Sequence, residues 1–424
     1  MRACSSAAPP WRWRLVAELA AVGAEGEGAE EVPRLDRSGP LPVSPAQERL
    51  WFLDRLIADP ATYNVPVALR LDGPLDFGAL AEALEGLVAA HEVLRARIVA
   101  VEGRPRLRIA PMAALPLTLE SVSAEGLAGR LAELARQPFL LAEESPIRAH
   151  LLRLAARRHV LLLNQHHAIT DGWSLALLLR ELGQRYRAAV AGEDQPTAAA
   201  DRPQFADLAA WERQRLAGPR GQDLLDFWCT SLRDAPMLEL PADLPRPAVM
   251  SCRGGVVRFA LPAELGRSLR AAALAAAATP FALLLGAFAA LLGRWTGQRD
   301  LVVATPVANR THPAQMEALG LFVSTLALRV RLGPEERPFA DLATRLAADM
   351  TAALAHQDLP FDRLLGALGV PREASRPPLT PVLFILQNAG DLDGFAAPEL
   401  AVERVPVDTG TAKFELTLSL EDEA

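Results

Sequence analysis

Lysine is almost absent from this 424-residue chain: Lys413 stands alone among 44 lysines and arginines. A GC-rich genome accounts for that bias without a functional cause. Positive charge is not in surplus either, and the net charge of -7 argues against nucleic acid as a partner. The three cysteines, Cys4, Cys229 and Cys252, show no paired spacing, which argues against a disulfide framework and points to a reducing cytoplasm. No set of Cys, His and Glu at ligand spacing builds a metal site. No Gly-x-Ser-x-Gly segment offers the sharp turn of a hydrolase nucleophile.

Membrane-length apolar runs are scarce as well. Ala271 to Gly293 is almost uncharged and long enough for a span, but Thr279-Pro280 divides it as an N-cap followed by a first helical residue. The pattern predicts two packed helices, one ending near Ala277 and one from Pro280 to Trp295, and no membrane. At the N-terminus Arg2, Arg12 and Arg14 precede Leu15-Val16-Ala17 in the manner of a signal peptide, yet Glu18 interrupts the apolar run. Residues 1–40, rich in Gly, Glu and Pro, read as an interdomain linker.

Half of the residues are hydrophobic, enough at this length for two buried cores. The densest chemistry lies in Asn164-Gln165-His166-His167-Ala168-Ile169-Thr170-Asp171-Gly172-Trp173-Ser174. The apolar run Val160 to Leu163 before it predicts a buried strand, and leucines at helical spacing from Ser174 to Val190 predict a helix after it. Two imidazoles, a carboxylate and a glycine therefore share a strand-to-helix corner, where the first amides of the helix favour negative charge. Histidine titrates near neutrality. A base without a protein nucleophile suits direct transfer of an acyl group between two bound substrates.

The segment His166-His167-x-x-x-Asp171-Gly172 resembles the signature of the condensation domains of nonribosomal peptide synthetases, within the chloramphenicol-acetyltransferase-like superfamily. Further segments resemble that family's other motifs in its order. Ser44 to Leu53 resembles the first and His91-Glu92-Val93-Leu94-Arg95 the second. Phe205 to Trp211, Gly320 to Leu326, His356 to Asp362 and Arg372 to Leu379 resemble the last four. Trp173 precedes Ser174, as in peptide-bond-forming members rather than epimerization domains, and both histidines are kept, unlike in heterocyclization domains. The opening motif and Ala61-Thr62-Tyr63-Asn64-Val65-Pro66 are most similar to members taking an L-configured donor and acceptor. Two positions depart from the pattern: Ala90 stands where an arginine usually precedes His91, and Ser324 where asparagine is common. The strand-like Lys413 to Leu420 is followed by fewer residues than in relatives, which reads as an apparent C-terminal truncation.

The resemblance implies an α/β (α+β) fold of two chloramphenicol-acetyltransferase-like subdomains forming a V-shaped pseudo-dimer with a central tunnel. The expected division is 1–40 linker, 41–217 N-terminal subdomain, 218–255 connector and 256–424 C-terminal subdomain. The resemblance also assigns roles. His167 is the catalytic position and His166 the more structural one. Asp171 makes an ion pair that holds the loop, with Arg95 the first choice of partner and Arg310 the second. Gly172 either lets substrate approach and donates its amide to an oxyanion, or merely serves the turn. Ser174, Trp211, Ser324 and Asn388 are candidates for the tunnel wall, although Trp51, Trp211 and Trp295 also suit a core. Arginines from Arg213 to Arg220 suit either an acidic partner or a solvated face.

The implied chemistry is aminolysis of a thioester. An upstream carrier protein brings an aminoacyl or peptidyl donor on phosphopantetheine, and a downstream carrier brings the acceptor amine. An adenylation domain is the expected neighbour, and no cofactor is bound directly. Transfer to a hydroxyl, forming an ester, and a silent module that only binds carriers are the alternatives.

Overall fold

The computed structural model describes residues 31–111, 115–196, 202–333, 338–371, 373–388, 394–397 and 399–422. The N-terminal segment 1–30, Arg372 and the side chain of Asn388 lie outside the described residues. In chain order the strands are β1 (Leu41–Pro42), β2 (Asn64–Asp72), β3 (Ala96–Val101), β4 (Arg104–Ile109), β5 (Leu117–Ser121), β6 (Ile147–Ala155), β7 (Arg158–His166), β8 (Asp300–Val307), β9 (Ser324–Arg331), β10 (Val382–Asn388), β11 (Ala401–Val405) and β12 (Leu416–Asp422). Among the described residues they form sheets ordered β1-β4-β3, β11-β2-β7-β6-β5 and β12-β10-β8-β9.

The expected buried strand is β7, central in its sheet and paired antiparallel with β2 and β6. Both of its faces are covered, which explains its unbroken apolar run. Leu161 and Leu163 join the core under helices Phe77–Ala90 and Gly172–Ala191, whereas Val160 and Leu162 pack beneath helix Leu127–Ala135. Burying each such side chain contributes about 1.5–3 kcal/mol, so β7 is a rigid support for the loop at its end.

A second core lies around β8, β9 and β10, under helices Pro280–Thr296 and Phe339–Leu354. Helix Pro219–Ser231, within the stretch read as a connector, adds Leu224 and Trp228 to this core. Thr279 caps the helix from Pro280 as expected, and the preceding helix Ala263–Ala275 meets it at 103°. No single helix among the described residues is long and apolar enough to cross a membrane.

The second half reaches back into the first at two places. Ala318, Leu319, Leu321 and Phe322, from the loop between β8 and β9, belong to the first core. Phe395 and Leu400 join the same core, and β11 then pairs with β2 as the edge strand of the first half's sheet. Gly320 is required by this approach: a Cβ there would fall 1.9 Å from Phe205 Cδ2. The end of the segment read as linker is likewise held, with Arg37 bonded to Asp207 at 2.6 Å and to Glu92 at 2.9 Å.

Candidate active site

Strand β7 ends at His166, a short 3-10 turn covers His167–Ile169, and the helix Gly172–Ala191 begins with Asp171 as its N-cap. Three neighbours fix this corner. The His167 amide donates to the Tyr63 carbonyl at 2.8 Å. Gln47, wholly buried in the first helix, donates from Nε2 to the Ala168 carbonyl at 2.8 Å. The His167 ring places Nδ1 2.7 Å from the Thr170 carbonyl. A carbonyl only accepts, so Nδ1 carries the proton and Nε2 presents its lone pair on the other side of the ring.

His167 is half-buried. Burial first, and then the positive charge of Lys413, push its pKa down to about 3, against weaker opposing effects from the Thr170 carbonyl and Asp171. The imidazole is therefore neutral near pH 7, with no proton on Nε2. His166 is different. Only 1 % of its surface is exposed, its Nδ1 accepts from the Ala168 amide at 3.1 Å, and Nε2 stands 3.5 Å from Asp54, long for a hydrogen bond. With Tyr63 and Phe139 beside its ring, it is a packed structural residue.

Asp171 is architectural. Its Oδ1 accepts from the Ser174 amide at 2.7 Å, and Oδ2 accepts from the Phe322 and Val323 amides at 2.9 and 3.1 Å. Its ionic partner is Arg310, at 3.4 Å. Arg95, the first choice from sequence, is not the partner: its guanidinium donates to the Ala110 carbonyl beside β4. Arg310 lies on the loop that enters the first core, where it also donates to the carbonyls of Gln315 and Ala318 and to Ser174 Oγ. Burial opposes its charge and Asp171 offsets part of that effect.

The remaining candidates separate. Ser174 is no channel residue, because its hydroxyl is consumed by Arg310 and by both backbone groups of Gly320. Trp211 is also in the core, 5.2 Å from the His312 ring. Ser324 is half-buried at the start of β9, next to the amides that hold Asp171. Asn388 ends β10, and its side chain lies outside the described residues. Around Gly172 a Cβ would meet nothing within 4 Å, and the residue's φ is not positive. Open space, rather than turn geometry, borders this glycine, whose amide is one that a helix cannot satisfy internally.

Arg213 and Arg220 are engaged by Glu48 and Asp358, and Arg215 lies over Trp211. Ala90 lines a cavity of about 310 Å³ with His91, Glu181 and Phe205, and neither His166 nor His167 borders it.

Two residues of shifted acidity gave no motif signal, and one of them, Lys413, lies near the site. Lys413 holds its ammonium 5.1 Å from the Tyr63 ring centre. The residue is exposed to solvent, with protein packed densely on the side facing Tyr63. Burial, helped by Arg49, moves its pKa down to about 8. Glu212 is half-buried beside Arg213 and Asp358, and burial raises its pKa to about 7. The only advance sign of either was that Lys413 has no companion in the sequence.

Comparison with known proteins finds a family model described as "Condensation domain" matching residues 37–424. The phosphinothricin tripeptide synthetase PhsC of Streptomyces viridochromogenes is 41% identical over 98% of this chain, and the chain spans 39% of that synthetase's length. The X-domain from teicoplanin biosynthesis superposes with a TM-score of 0.85 at 30% identity, covering 93% of this chain and 88% of that one. The first condensation domain of the CDA synthetase does so with a TM-score of 0.76 at 25% identity, covering 91% and 88%.

Proposed function

This chain belongs to the condensation domain family, and from that premise we propose that it joins a donor thioester to the amine of an acceptor thioester, each delivered on phosphopantetheine by a peptidyl carrier protein. The fold is the chloramphenicol-acetyltransferase-like one. An amide-forming acyltransferase of nonribosomal peptide assembly is the activity that fits both the family and the corner at His167. Tripeptide synthetase activity in the PhsC relative accords with this reading. An adenylation domain working with this module is part of the same proposal.

The observation that carries it is the imidazole of His167, neutral, with Nδ1 committed to Thr170 and Nε2 left for substrate. In the proposed reaction the acceptor nitrogen attacks the thioester carbon, and His167 Nε2 takes the proton that nitrogen sheds. The Gly172 amide and the positive end of its helix favour the oxyanion. When the tetrahedral intermediate collapses, the C–S bond breaks and the proton goes to the departing thiolate. A thioester is already activated, so aligning the two tethered reactants supplies most of the acceleration, up to about 7–11 kcal/mol in ideal cases. His167 contributes a further ~10²–10⁴-fold.

Single-turnover assays with loaded donor and acceptor carriers test this reading. Dipeptidyl product on the acceptor carrier, lost in His167→Ala while both carriers still bind, is the expected result. A hydroxy-acid acceptor turned over in preference to the amino acid would assign ester formation. Equal product from wild type and His167→Ala would reduce the module to a binding platform.

A further inference from the structure

Lys413 reaches the catalytic corner from far along the chain, just before β12. Its ammonium lies over Tyr63, the residue whose carbonyl holds the His167 amide and whose ring stands 6.3 Å from that of His166. The approach is anchored on the opposite side, where the Ala412 amide donates to the Cys252 carbonyl at 2.7 Å and Thr411 pairs with Arg253. Its positive charge disfavours the protonated form of the His167 imidazole.

We propose that Lys413 is an electrostatic positioning residue of the acyl-transfer site, its ammonium favouring an uncharged acceptor amine next to His167 and steadying the oxyanion that follows attack. This rests on the condensation reading above. The acceptor arrives as an α-amine that is nucleophilic only after losing its proton. A fixed cation beside that amine disfavours its ammonium form and favours the negative tetrahedral oxygen.

Other charges facing this space are Arg49 and Asp54 on helix Pro45–Leu56 and Asp362 on helix Phe361–Ala367, with the Cys252 thiol and Tyr63 hydroxyl also near. Arg49 lies 3.6 Å from Asp362, so that pair offsets itself. Asp171 is held by Arg310 and three amides. Lys413 is thus the cation in this group without a carboxylate held against it among the described residues.

The 424-residue chain with loaded carriers supplies the test, read as single-turnover rate against pH from 6 to 9 for wild type, Lys413→Met and Lys413→Arg. Lys413→Met is expected to move the acidic limb up by about one pH unit, a loss of about tenfold at pH 6.5 that shrinks toward pH 9. Lys413→Arg restores the limb. A merely structural lysine would change rate at every pH and leave the limb in place, and superimposable limbs overturn the proposal.

Should the variants not fold, the wild type still decides. Lys413 carries the only lysine ε-amine in the chain, so trinitrobenzenesulfonate labelling followed by peptide mass reports on that amine alone. A labelling midpoint of about 8 or higher leaves the amine charged across the acidic limb and supports the proposal, and one below about 6 leaves it neutral there and overturns it. Absence of dipeptide from wild type at every pH would instead overturn the proposed function.

Discussion

Arg310 and Asp171 come from opposite halves of the molecule and meet at 3.4 Å with 1 % and 2 % of their side-chain surfaces exposed. The contact ties the loop after β8 to the start of the helix that follows the two histidines. Removing one partner strands the other in a dry setting, which costs about 3–5 kcal/mol. Arg310→Ala is therefore expected to lower unfolding free energy by that amount in urea titrations. The double variant Arg310→Met, Asp171→Asn should recover part of the loss, because no bare carboxylate then remains.

The two histidines should respond oppositely to truncation. His167→Ala lowers amide formation by ~10²–10⁴-fold with a melting temperature close to that of wild type. His166→Ala leaves a cavity beside Tyr63 and Phe139 and removes the acceptor of the Ala168 amide, a loss of about 1–3 kcal/mol for the unpaired amide alone. Calorimetry alongside single-turnover rates separates the two effects.

Gly320→Ala presses a methyl group into the Phe205 ring. Overpacking of this kind costs about 1–3 kcal/mol. Phe205→Leu in the same chain should relieve much of it, a cross-rescue measurable by urea unfolding.

Glu212 makes stability depend on pH in a defined window. Its folded pKa, raised by burial to about 7, lies above the model-compound value of 4.5. Between those values the folded state binds more protons than the unfolded one, so the contribution is full below 4.5 and is lost as pH rises through 7. Glu212→Gln is expected to melt higher than wild type at pH 8, with the difference closing toward pH 4. A difference independent of pH would assign the effect to packing.

Much of this was readable before any coordinates. The apolar run before His166 lies on a strand covered on both faces, and Thr279-Pro280 divides two helices where it was expected to. The ionic partner of Asp171 was harder, because several arginines fit by type and only the tertiary path of the chain brings Arg310 to it. Ser174 and Trp211 looked available for substrate, but polarity or aromaticity near a motif does not reveal whether a group is already engaged. Lys413 and Glu212 owe their perturbed acidity to what surrounds them in space, a property with no local signature.

The loop bearing Ala318 to Phe322 and the strand β11 are encoded after the first half yet complete its interior and its sheet. Recombination between related condensation domains has to respect that interleaving. A chimera joined near residue 217 would unite a first half from one parent with plugs and an edge strand from another, mismatching Gly320 to Phe205 and β11 to β2. Exchange is better tolerated when both borders fall outside residues 37–422, so that the interdigitated pieces, Arg37 and the β12–β10 pair included, travel together.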